Sequence, residues 1–138
     1  MRYAVWFLRL GFAAWLIPAG INHFIPLFPQ PPGNQPASQE LLTALVDSGL
    51  FSLVKAVEIF AGICLLIGWR VPLALVMLLP VSFNVWYWDT ALQGWTSVSA
   101  PYGWAVLCTN VLLCAAWWPS YRTLFQPRLS IAKGWAAC

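Results

Sequence analysis

Ionisable and amide side chains set inside apolar stretches are the residues of this chain that could do chemistry. Arg9, Lys55 and Glu58 stand within long hydrophobic runs, with Asn84 and Asn110 as amides and Asn22-His23 near the end of the first run. Charges among lipid-facing residues are costly, so each needs a partner or a function. Lys55 and Glu58 are three residues apart and therefore share one face of a helix. A buried carboxylate needs a cation, and Glu58 has Lys55 on one side and Arg9 on the other. Two uses are open. One is a neutralised pair or triad that fixes helix register. The other is a polar pocket, open to the outer side, bounded by His23, Lys55, Glu58, Asn84 and Asn110. Such a pocket could take a quinone head group, a small anion or a relayed proton, and Trp86 and Trp88 are the aromatic candidates for its wall.

Other chemistries lack their residues. His23 is the sole histidine and has no cysteine with it on the outer side, which argues against a metal centre or a haem held by two histidines. Cys64, Cys108, Cys114 and Cys138 form no Cys-x-x-Cys, and none is expected on the outer side, so they read as small core residues rather than a disulfide-exchange pair. Neither a Ser-His-Asp order, a phosphate loop nor a His-Glu-x-x-His is present. Motif evidence for an enzyme is therefore absent.

The elements that must position these residues are membrane helices. With 61% hydrophobic and 8% charged residues, the 138-residue chain has little left for a soluble domain. Apolar runs cover residues 3–24, 50–68, 71–88 and 102–118. Each is near the ~20 residues that cross a hydrocarbon core of ~30 Å. Lipid cannot satisfy backbone amides, so such runs form helices. Arg2, Arg9, Arg70, Arg122, Arg128 and Lys133 gather at one set of ends, whereas the opposite connections, 25–49 and 89–101, carry Glu40, Asp47 and Asp89 and no basic residue. The positive-inside bias then predicts an all-α integral membrane protein: one domain, an antiparallel four-helix bundle with both termini cytoplasmic. The net charge of +3 suits anionic headgroups, and no basic cluster is dense enough for nucleic acid.

Local signals refine this outline. Arg9 interrupts the apolar region that a cleaved signal would need, so the first run reads as a retained span. Pro18 and Pro80 should bend the first and third helices. The proline-rich stretch 26–36 should be an extended external loop, followed by a short interfacial helix over 39–46 with Ser38 as its cap and Glu40 in its first turn. Gly68 and Pro72 flank a tight hairpin between spans two and three. Residues 119–138 form a cytoplasmic tail on the inner surface. Most of the ten tryptophans fit two interfacial belts. By helical rise, Glu58 lies roughly 18 Å from Arg70 and Asn110 ~12 Å from Trp118, near the midplane, with Lys55 and Asn84 in the outer half.

Leu8-Arg9-Leu10-Gly11 and Gly20-Ile21-Asn22-His23-Phe24 in the first span, with Glu58-x-x-x-Gly62-x-x-Leu65 in the second, resemble the DoxX family of small four-span membrane proteins. The likeness covers roughly residues 5–118. Many DoxX-like sequences carry lysine after the first-span glycine, where this chain has Ile-Asn-His. The resemblance implies that Arg9 and Glu58 are the family's buried charge pair. It also implies a quinone- or lipid-binding subunit of a membrane redox system, tied to sulfur or oxidative stress, in a bacterial-type inner membrane. A quinone is then the candidate cofactor, and a soluble or membrane redox subunit, or further copies of the chain, the candidate partners. A small-anion or proton transporter component and a structural scaffold are the alternatives.

Overall fold

Glycine and proline set the breaks between helices, and lipid-like composition fills the spaces between breaks. The computed structural model describes residues 2–30 and 33–122. Among these the chain is all-helical, with no strand. Helices run over Arg2–Phe24 (α1), Pro36–Asp47 (α2), Leu50–Ile67 (α3), Val71–Trp86 (α4), Ala100–Ala116 (α5) and Trp118–Tyr121 (α6). A π-helical turn, Tyr87–Leu92, extends α4 without a break. Three stretches, Tyr3–Phe24, Leu50–Ile67 and Val71–Leu92, are long and apolar enough to cross a membrane. The apolar α5, at 17 residues, is shorter.

The hairpin forms as its sequence dictates. Gly68 ends α3 at φ 78°, a left-handed conformation that glycine adopts without steric cost, and its N–H closes on the Cys64 carbonyl. Arg70 then takes φ 49°, and Pro72 stands in the first turn of α4. Helix α1 packs chiefly on α3, α4 on α5, and α3 on α4, so the hairpin joins two helix pairs. Arg9, Phe12, Ala13, Leu16 and Gly20 form one buried stripe of α1 at helical spacing, and Asn22 is buried off that stripe near its end. The stripe meets Ala61, Cys64 and Leu65 of α3, while Ala74, Leu75 and Leu78 of α4 and Leu113 of α5 complete the core. A Cβ on Gly20 would lie 2.5 Å from Ile59 Cγ1 and 3.1 Å from the Lys55 carbonyl, so only glycine lets α1 approach α3 this closely. The start of α1, the α3–α4 turn and the end of α5 form the basic end of the bundle; α2 and the longer connections lie at the other, the loop end.

Several boundaries differ from expectation. The third apolar helix does not stop at Trp88 but continues to Leu92, which turns Asp89 from a loop residue into a buried one, 7% exposed. Helix α2 begins at Pro36 with Gln35 as its cap residue. Ser38 is therefore inside the first turn, where its hydroxyl donates to the Gln35 carbonyl at 2.7 Å, and Glu40 falls beyond that turn. Proline at the start displaces the boundary because its missing N–H is unpaired there in any case. The apolar α5 starts at Ala100 rather than Tyr102. Residues 123–138, and with them most of the proposed tail, lie outside the described part.

Candidate functional site

Lys55 and Glu58 meet as their spacing requires. Lys55 Nζ donates to Glu58 Oε2 at 2.8 Å, with side chains 11% and 4% exposed. This is the one ion pair among the described residues. The Lys55 ammonium also stands 5.2 Å from the centre of the Phe51 ring, which adds a weaker attraction. On the neighbouring helix, His23 Nε2 lies 2.8 Å from Ser52 Oγ. Its ring is edge-on to Phe51 at 4.9 Å and to Phe24 at 5.0 Å. Ser52, Lys55 and Glu58 follow one another at intervals of three, so with His23 they form a polar file. It runs down the α1–α3 seam from the loop end toward mid-helix, opposite the close contact at Gly20.

Asn22, beside His23, has a different task. Its side-chain oxygen accepts the N–H groups of Leu27 and Phe28 at 2.7 and 2.8 Å, and its amide donates to the Phe28 carbonyl at 3.0 Å. Three bonds from one buried amide hold the chain as it leaves α1, and so fix the rim above His23.

The remaining sequence candidates do not join this file. Asn110 is fully buried and donates to Ser82 Oγ at 2.8 Å across the α4–α5 seam. Its carbonyl accepts the weak S–H donor of Cys114 at 3.6 Å. Asn84 is exposed on α4, so it is not a buried amide. Trp86 belongs to an aromatic cluster at the loop end of α4 and α5, with Phe83 and Trp104 each at 5.4 Å and Trp95 at 6.4 Å. Of the five pocket residues expected from the sequence, His23, Lys55 and Glu58 share the α1–α3 seam, Asn110 lies in the α4–α5 seam and Asn84 faces outward.

Arg9 is a second departure. It is buried, 7% exposed, but does not pair with Glu58. Its guanidinium lies over Trp6, 4.3 Å from the ring centre, and against Gly68 at the end of α3. Glu58 is ten residues from Gly68 along α3, about 15 Å of helical rise, which a side chain beside Gly68 does not span. The pairing fails because Lys55 is the nearer cation on the same helix face, while the α3 carboxyl terminus attracts Arg9 toward the opposite end.

Ser52 and Ser82 are the hydrogen-bond partners of His23 and Asn110 that sequence reasoning missed. Both had a signal: each is a hydroxyl in an otherwise apolar run, and Ser52 lies three residues before Lys55. Two surface grooves flank α2, lined in one case by Gln39, Glu40, Thr43 and Asp47 and in the other by Gln35, Ala91 and Gln93. At the basic end, Tyr121 donates to the Pro72 carbonyl at 2.8 Å, and burial, reinforced by Cys114, pushes its phenol above the ordinary tyrosine range.

No family model matches the chain, and no curated protein or solved structure shows significant similarity to it.

Proposed function

We propose that this chain is a DoxX-like, four-span bundle of a bacterial-type cytoplasmic membrane that serves as the quinone-binding subunit of a membrane redox system. The observation that carries the proposal is the buried file of His23, Ser52, Lys55 and Glu58 along the α1–α3 seam. A quinone head group needs donors for its carbonyl oxygens, and the Lys55 ammonium and an imidazole N–H supply them. A bound quinone would supply two-electron chemistry with a separate redox partner; Glu58 would take up a proton beside it and His23 would pass it toward the loop end. The fourth span is α5, whose 17 residues rise about 26 Å, close to a hydrocarbon thickness. Basic residues at one end favour a cytoplasmic placement of that end, and with it of both termini.

Native mass spectrometry of the protein released from its own membranes tests this. The expected result is an adduct of quinone mass, retained by the wild type and lost in Glu58→Gln and His23→Ala. Phospholipid as the sole adduct would overturn it. One observation favours a second reading, a structural scaffold: Lys55 and Glu58 already neutralise each other at 2.8 Å. On that reading the variants change assembly with a partner and leave small-ligand mass unaltered.

A further inference from the structure

Arg9 is a buried cation that no acidic side chain of the described residues pairs with. Its Nε is sealed from solvent without a hydrogen-bond partner. Neither a hydrogen bond nor an ion pair reaches its guanidinium from the described residues; it lies over the Trp6 face and beside the end of α3. The sequence closes the alternatives. Within the 138 residues there are four acidic side chains, Glu40, Asp47, Glu58 and Asp89. Glu40 and Asp47 ride on α2, and Asp89 lies in the π-helical turn, all at the loop end. Glu58 is taken by Lys55. The counter-ion of Arg9 must therefore come from outside these side chains.

The surroundings specify its chemistry. Arg9 lies seven residues into α1, about 10 Å from Arg2, yet its side chain reaches back to Gly68 at the basic end. There the α3–α4 turn exposes Arg70, held at φ 49°, two residues beyond Gly68. Ile67 and Trp69 beside it are 66% and 54% exposed, apolar surface suited to acyl chains. A guanidinium fork binds phosphate oxygens in pairs, and a second cation at the same turn disfavours a zwitterion's ammonium. We propose that Arg9 and the α3–α4 turn form a seat for the phosphate of an anionic phospholipid. The seat depends on the bundle lying in a membrane and is independent of quinone binding at the α1–α3 seam.

The test follows thermal unfolding of the protein in neutral detergent during titration with short-chain phosphatidylglycerol, phosphatidylcholine or inorganic phosphate. Phosphatidylglycerol should raise the wild-type midpoint saturably, and phosphatidylcholine should do so weakly. Arg9→Gln should weaken half-saturation on the order of tenfold or more, with Arg9→Lys intermediate because it keeps charge without the fork. An unresponsive wild type, or an unchanged half-saturation in Arg9→Gln, overturns the proposal. Inorganic phosphate that reproduces the full shift overturns the lipid assignment and leaves a free-anion seat. Should Arg9→Gln not fold, the wild type alone decides: in native mass spectra from an equimolar lipid mixture, preferential retention of phosphatidylglycerol supports the seat, and equal retention overturns it.

Discussion

Removing Lys55 should harm the bundle more than removing the whole ion pair. At 2.8 Å and an effective dielectric of about 20, opposite unit charges attract by about 6 kcal/mol. Each ion gives up several kcal/mol of hydration on burial, so the intact pair nets little stability. Lys55→Met deletes the attraction and leaves the Glu58 carboxyl, 4% exposed, to bear its burial alone. The expected loss is about 3–5 kcal/mol. Glu58→Leu should cost less, because a lysine five residues into α3 has a flexible stem that can turn toward the loop end. The double variant, Lys55→Met with Glu58→Leu, should return to within about 1 kcal/mol of wild type or exceed it. Unfolding titrations with denaturing detergent in mixed micelles measure all four corners of this cycle. If Lys55→Met and the double variant prove equally unstable, Glu58 is not an uncompensated buried charge and the reasoning fails. The double variant also separates stability from function, since it should fold yet hold no quinone.

Two further variants probe how the site is positioned. Gly20→Val places a branched side chain where Ile59 and the Lys55 backbone already stand, and should cost about 1–3 kcal/mol through forced separation of α1 and α3. The same detergent titration reads it, and a change under 0.5 kcal/mol would show that the seam can relax. Asn22→Ala removes three hydrogen bonds to Leu27 and Phe28 and should cost about 1–3 kcal/mol. Amide exchange of Leu27 and Phe28 should quicken accordingly, and protection equal to wild type would refute the clamp.

What the sequence alone determined is local. Apolar runs bounded by Gly68, Pro72 and the proline-rich stretch specify helices, because lipid-like composition permits no other backbone pairing and those residues end or start helical turns. The Lys55–Glu58 pair was equally legible, since three residues along one helix bring two side chains together whatever the neighbours do. The tertiary structure decided everything that depends on how each helix is rotated about its axis. Asn84 turned outward, Asn110 found Ser82, His23 found Ser52, and Arg9 went to Gly68 rather than Glu58. It also decided that the helix through Asp89 would continue as a π-helical turn and bury that carboxylate. The physical reason is common to all of these. Helices apolar on nearly every face carry little amphipathic contrast, so pattern cannot set their rotation; close packing at positions such as Gly20 does.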